Sequence, residues 1–186
     1  MTTTKILGLS GSLRAASFNT GLLRAAAGLM PEGAELTVRT IHGIPLYDGD
    51  VEEKEGIPTA VTDLGKEIAA ADGLLLASPE YNNSVPGPLK NAIDWLSRLD
   101  DMYGRPVFAG KPVAVIGATP GGFGTVLGQN AWLPVMRTLE TRPWFGARLM
   151  VAKASGLTDD TGLLTDEDTK AKLRDFLAGF VAFAKS

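Results

Sequence analysis

A chain of 186 residues, 45% hydrophobic and 21% charged, has the length and composition of one soluble domain with a full core. Its net charge of -3 offers no electrostatic case for nucleic acid or an anionic membrane surface, and the lack of cysteine excludes disulfides, thiolate catalysis and thiolate metal sites. No apolar run approaches the ~18–20 residues that span a bilayer, and no leader-like stretch precedes the first strand pattern, so a cytoplasmic chain is expected.

The apolar run at 5–9 reads as a buried first strand, and Leu22, Leu23, Ala26, Leu29 and Met30 mark one face of a helix over 20–30. Pro31 and Gly33 stop that helix. Residues 35–41 alternate apolar and polar, as a strand with one better-buried face does. The stretch 42–56, with Pro45, Tyr47, Gly49 and five acidic residues, reads as a long loop covering an edge of the domain. Val61, Leu64, Ile68 and Ala71 share a face of a helix over 58–71, and 73–78 is a continuous apolar strand of the parallel, doubly buried kind. A helix over 89–99 turns Leu89, Ile93 and Leu96 inward and Asp94 outward, and 112–118 is another buried strand. Residues 126–140 predict a helix despite Pro134, and the last strand falls within 143–152, strongest at Leu149, Met150 and Val151. Thr165, Asp166, Glu167 and Asp168 open the final helix with an N-cap and an acidic first turn. Leu173, Phe176, Leu177, Phe180, Val181 and Ala184 run down it as an apolar stripe.

Five strands alternating with five helices predict a single α/β domain over 1–186. The expected architecture is a flavodoxin-like, doubly wound three-layer sandwich with a five-stranded parallel sheet in the order 2-1-3-4-5. In that topology the loops after strands 1, 3 and 4 meet at the carboxyl edge of the sheet, where ligands bind. All three are unusual.

The first loop, residues 8–19 (GLSGSLRAASFN), places Ser10, Ser12, Ser17 and Asn19 as donors and Arg14 as a cation before a helix start, an arrangement suited to a phosphate. An ordinary cluster of helix-capping residues accounts for the same composition. A dinucleotide fingerprint starting at Gly8 needs glycines where Ser10 and Leu13 stand, and the second strand ends in Thr40, Ile41 and His42 without a ribose-binding acid. A Walker loop ending at Lys111 needs glycine where Arg105 stands. Many neutral donors without a P-loop lysine fit a terminal monophosphate better than a metal-bound triphosphate. The second loop, 79–88, puts Tyr81, Asn82 and Asn83 where a planar ligand would pass, although its prolines and asparagines also suit a plain rigid turn. The glycines of the third, 119–125, let a backbone approach a flat ring closely, or simply turn.

Two of these stretches carry a family likeness. Residues 11–19 resemble the G-S-x-R-x-x-S-x-N phosphate loop of NAD(P)H-dependent FMN reductases, a group that includes quinone, chromate and azo-dye reductases. Residues 78–95 (SPEYNNSVPGPLKNAIDW) are similar to that family's second motif almost position by position. The likeness runs from about Lys5 to Ala152. It implies bound FMN, with Ser10, Ser12, Arg14, Ser17 and Asn19, and Phe18 within the same motif, at its phosphate. Pro79, Glu80, Tyr81, Asn82 and Asn83 would border the isoalloxazine, and Thr119, Gly121 and Gly122 would meet its pyrimidine edge. The chain departs from the family pattern at Phe123 and Leu133, where a polar or charged residue and an arginine usually stand, which bears on the acceptor pocket and on tetramer contacts. Trp132 and Trp144 read as core or interface residues.

The implied activity is a ping-pong transfer of hydride from NADPH or NADH through FMN to quinones or similar acceptors such as chromate, azo and nitro compounds or ferric chelates, in a homodimer or homotetramer. The chemistry would be the cofactor's, with no catalytic side chain. The rival reading is a flavodoxin-like electron carrier or flavin-binding regulator without NAD(P)H turnover. His42 reads as a surface residue, the pairs Asp100–Asp101 and Glu52–Glu53 as solvated charge, and no cluster has metal-ligand spacing.

Overall fold

The structure, a computed structural model, describes residues 2–99 and 104–186; the Asp100–Asp101 pair lies outside them. The strands are β1 (Thr4–Ser10), β2 (Ala34–Thr40), β3 (Gly73–Ala77), β4 (Pro112–Ala118), β5 (Arg142–Pro143) and β6 (Leu149–Val151). The helices are α1 (Phe18–Gly28), α2 (Gly49–Glu55), α3 (Thr59–Ala70), α4 (Gly87–Ser97), α5 (Val126–Thr138) and α6 (Glu167–Ala184). The sheet is parallel with the order β2-β1-β3-β4-β5, and β6 also pairs with β4. The predicted order holds, and the fold is the flavodoxin-like α/β arrangement.

The buried strands sort their side chains by parity. Leu7, Leu9, Leu74, Leu76 and Val113 face one core with α3, α4 and α5. Ile6, Leu75, Ala77, Ala114 and Ile116 face the other with α1 and α6. Alternation across the pleat splits each apolar run between two helical layers, which is why these strands are apolar throughout.

Three differences from the sequence reading have physical causes. The fifth strand is in two pieces. Pro112 and Val113 pair with Arg142 and Pro143, and Ile116 to Ala118 pair with Leu149 to Val151, so the chain between them leaves the ladder. Trp144 turns inward there against Phe176 and Phe180, with ring centroids 4.8 and 5.9 Å away. Second, the predicted loop 42–56 contains α2, capped by Asp48, whose side chain accepts from the Asp50 N–H. This segment is strapped to α4. Asn91 accepts from the Tyr47 N–H at 2.9 Å, and Asn91 and Trp95 both donate to the Pro45 carbonyl. Third, Glu52 is a strut rather than solvated charge, since its carboxylate accepts from the Tyr47 hydroxyl at 2.9 Å and from Arg98 at 3.0 Å. Those two donors hold its carboxyl below the ordinary value, Arg98 first.

Candidate functional site

Loop 1 runs directly from β1 into α1, which begins at Phe18, two residues earlier than the apolar spacing implies. Ser17 is its N-cap, accepting from the Thr20 N–H at 3.2 Å, a bond whose removal typically costs ~1 kcal/mol. The hydroxyls ahead of it order the loop. Buried Ser10 bonds Thr20 side chain to side chain at 2.8 Å, and Ser12 accepts from the Arg14 N–H at 3.3 Å. The capping reading and the anion reading are therefore compatible. Among the described residues the N–H groups of Leu13, Ala15, Ala16, Ser17, Phe18 and Asn19 have no protein acceptor. No acidic residue sits in the first turn of α1 to answer its positive end. Exposed Arg14 stands beside them, its guanidinium 6.0 Å from the Phe18 ring centroid. A cradle of unanswered donors at a helix start, with one free-standing cation, fits a phosphate monoester.

Asn19 is placed differently from the sequence expectation. Its amide donates to the Ala118 carbonyl and accepts from the Ala118 N–H, both at 2.9 Å. The side chain thus clamps α1 to the end of β4, and what it offers a phosphate is its backbone N–H.

Loop 2 follows β3. Asn82 and Asn83 take φ of 50° and 61°, and Tyr81 and Ser84 bond reciprocally at 3.2 and 3.1 Å, which makes a two-residue hairpin tip of the type I′ kind. Asparagine tolerates that left-handed backbone better than other side-chain-bearing residues. Tyr81, Asn82 and Asn83 are exposed on this tip, while Pro79 is buried beneath it. Glu80 points away from the tip: its carboxylate accepts from the Gly128 N–H at 2.7 Å, capping α5, whose own Thr125 makes no capping bond. Beside it the Trp132 indole donates to the Ser78 hydroxyl at 2.9 Å, which in turn donates to the Pro79 carbonyl at 3.0 Å. Loop 2 is thereby pinned to the first two turns of α5.

Loop 3 leaves β4 at Ala118. Thr119 donates its N–H to Val151 and accepts from Ala154, and Gly121 accepts from the Lys153 N–H at 2.9 Å. Gly121 and Gly122 are exposed, and a Cβ on Gly122 would meet nothing within 4 Å. That open space lies over loop 3. Gly117, at the end of β4, is required for closeness: a Cβ there would fall 2.5 Å from the Ser78 carbonyl and overlap the Thr125 hydroxyl.

The three loops meet as the topology requires. The Gly11 N–H donates to the Ala77 carbonyl, Asn19 reaches Ala118, and Glu80 reaches α5. Sequence reasoning missed the bracing residues Thr20, Gly128 and Gly162; a glycine inside a helical pattern, as at 21 and 128, was the available signal. His42 lies outside the site but holds its rim, with one ring nitrogen 3.2 Å from the Leu13 carbonyl and the other 2.9 Å from the Thr40 hydroxyl. Trp132 is buried, whereas Phe123 is 91% exposed at the tip of loop 3. Among the described residues no group of three His, Asp or Glu side chains could hold a metal ion, and no helix is long and apolar enough to cross a membrane.

Residues 4–156 match the profile of the NADPH-dependent FMN reductase family. The chain is 41% identical over 173 residues to an NAD(P)H-dependent FMN reductase of Pseudomonas aeruginosa, covering 93% of this chain and 91% of that one. It is 38% identical over 181 residues to a quinone reductase of Escherichia coli, covering 96% and 94%. Its fold superposes with a TM-score of 0.83 on a flavoenzyme NAD(P)H:(acceptor) oxidoreductase from Paracoccus denitrificans, at 31% identity over 98% of each chain. A family match over most of the chain, with relatives of this identity and coverage, makes this chain a member of the NADPH-dependent FMN reductase family and an oxidoreductase of that kind.

Proposed function

We infer that the chain is a single FMN-binding domain that oxidises NAD(P)H and reduces quinones. The observation that carries this reading is the set of unanswered N–H groups at 13 and 15–19, converging with the tips of loops 2 and 3. Those N–H groups, with Arg14 and the hydroxyls of Ser12 and Ser17, would hold the FMN phosphate, and Ser10 and Phe18 would shape the cradle. Pro79, Tyr81, Asn82 and Asn83 would border one side of the ring system, with Glu80 held back on α5 to fix the loop that carries them. Thr119, Gly121 and Gly122 would present backbone to its pyrimidine edge. FMN, when bound, supplies the hydride and electron chemistry. The protein's part is to brace the three loops with Asn19, Ser78 and Trp132 and to leave Tyr81 and Phe123 exposed at the loop tips. With FMN held by these loops, donor and acceptor would share one exposed ring face and occupy it in turn, a ping-pong order.

Exposed apolar side chains argue for association with a second copy. Leu46, Phe123, Leu127, Leu133 and Phe145 are exposed apolar side chains, Phe123 at the mouth of the site and Leu46 on the strap over α4. A homodimer or homotetramer would cover them. The acidic balance fits a cytoplasmic enzyme of small molecules rather than a partner of nucleic acid or membranes.

The test is the visible spectrum of the purified, FMN-supplied protein under anaerobic NADPH, then NADH, followed by a quinone. Flavin bands that bleach with reductant and return with quinone support the reading. Bands indifferent to both reductants would leave an electron carrier, and no retained flavin would remove the cofactor.

A further inference from the structure

The family profile ends at residue 156, yet the next nine residues reach back to the phosphate loop. The chain from β6 first answers loop 3, through Lys153 and Ala154, and then forms a closed turn over 157–165. The base of that turn is tied at Leu157, whose carbonyl accepts from the Thr165 N–H at 2.9 Å, and Leu164 is buried in the core beside α6. Its tip is closed by two backbone bonds, from the Gly162 N–H to the Asp159 carbonyl at 2.9 Å and from the Asp159 N–H to the Leu163 carbonyl at 3.0 Å, and by the Asp159 side chain. Asp159 Oδ1 accepts from the Thr161 N–H at 2.9 Å, the Thr161 hydroxyl at 2.6 Å and the Leu163 N–H at 3.0 Å.

This turn presents Gly162 to the start of α1 at backbone-to-backbone distance. A Cβ on Gly162 would fall 3.0 Å from the Ala16 carbonyl carbon and 3.1 Å from that of Ser17, and Gly162 itself has a φ of 80° that favours glycine. A Cβ on Gly21, one turn into α1, would fall 2.6 Å from the Gly162 carbonyl carbon. Two glycines on separate elements therefore permit one close seat, and that seat lies directly behind Ala16 and Ser17, two of the unanswered N–H groups of the cradle. Loop 1 is held besides by the Ser17 cap, the Ser10–Thr20 pair, Asn19 on Ala118 and His42 at its rim, and the turn adds backbone support at Ala16 and Ser17.

We propose that the turn 157–165 braces the phosphate loop from behind, with Asp159 as its positioning residue, and so sets the affinity for the phosphate of FMN. Asp159 touches no ligand; it acts by holding Gly162 against Ala16 and Ser17. The inference rests on the FMN reading above and extends it to a segment beyond the family profile. Because the brace acts on the phosphate loop alone, it distinguishes FMN from riboflavin, which shares the ring system and lacks the phosphate.

The experiment titrates the full-length apoprotein with FMN and with riboflavin, following flavin fluorescence, for the native chain and for Asp159→Ala and Asp159→Asn. Asp159→Asn keeps an acceptor oxygen for Thr161 and Leu163 and acts as the rescue variant. Asp159→Ala should raise the Kd for FMN by roughly tenfold, the scale of one lost hydrogen bond's influence. The Kd for riboflavin should stay within about twofold in the same variant, and Asp159→Asn should bind both flavins as the native chain does. Equal weakening of FMN and riboflavin in Asp159→Ala, or no change in either, overturns the brace. A native chain that binds FMN no better than riboflavin overturns the phosphate assignment itself, a result recognisable before any variant is measured. Gly162→Ala is the less informative change, because its strained backbone puts folding at risk.

Discussion

Replacing Gly21 with alanine sets two known effects against each other inside one helix. Alanine is favoured over glycine in a helix interior by ~1 kcal/mol, and α1 offers no other reason for a glycine at its fourth position. Against this, the new methyl group would overlap the Gly162 carbonyl oxygen and lie 2.6 Å from its carbon and 3.1 Å from the Leu163 Cα. Carbon atoms in ordinary contact sit ~3.5–4.0 Å apart, so the turn has to retreat by more than about 1 Å at a backbone carbonyl that has no rotamer to yield. Overpacking of this kind costs ~1–3 kcal/mol, and with backbone on the receiving side the upper end applies. The net expectation is a loss of ~1–2 kcal/mol, or roughly 2–8 °C in the unfolding midpoint of a domain this size. Gly28→Ala supplies the control, since it lies in the same helix with nothing within 4 Å of its Cβ; it should gain up to ~1 kcal/mol. Both variants are compared with the native chain by thermal and urea unfolding of the apoprotein. A Gly21→Ala chain as stable as the native one, alongside a stabilised Gly28→Ala, would show that the turn does not seat on α1.

Arg14→Ala should raise the Kd for FMN by about tenfold or more, the scale of a charge-assisted bond to phosphate, and leave apoprotein unfolding unchanged because the side chain is exposed; flavin titration checks it. Glu80→Ala should destabilise the fold by ~1 kcal/mol, as removal of a helix cap does, with Glu80→Gln losing less because it keeps an acceptor for the Gly128 N–H; urea midpoints of the two variants decide. The Arg98 and Tyr47 donors lower the Glu52 pKa relative to the unfolded chain. A depressed carboxyl pKa stabilises at neutral pH and loses that contribution as pH falls through the folded value. The stability difference between the native chain and Glu52→Gln should therefore shrink as pH falls from neutral through and below the ordinary carboxylate range, and a difference independent of pH would remove the strut from consideration.

The loops behave as one braced unit rather than three flexible connections. Loop 1 is held by the Ser17 cap, by Asn19 on Ala118 and by His42 at its rim; loop 2 by Glu80 and Trp132 on α5; loop 3 by Lys153 and Ala154. Each brace leaves the surface facing the open side free of side-chain bonds, so the N–H groups and the exposed Tyr81, Asn82 and Gly122 meet a ligand without first breaking protein contacts. Such preorganisation lowers the ordering that binding would otherwise require.

The sequence by itself determined the layers, the strand order and the place of the site. Apolar runs such as 73–77 can be satisfied only between two helical faces, and the alternation of strands and helices leaves one right-handed winding in which the loops after strands 1, 3 and 4 adjoin. The donor-rich start of α1 and the turn in loop 2 were legible because their residue types answer local needs: donors at a helix start, and asparagines where φ is positive. Tertiary structure alone decided which polar groups remain free for a ligand. Nothing local distinguishes Asn19, occupied by Ala118 ninety-nine residues away, from a phosphate ligand, or Glu80, turned to α5, from a residue at the ring. The division of the fifth strand around Trp144, the strut at Glu52 and the seat of Gly162 on Gly21 likewise depend on contacts between segments far apart in the chain. Periodicity records which face of an element is buried; it carries no record of which distant backbone group comes to rest against it.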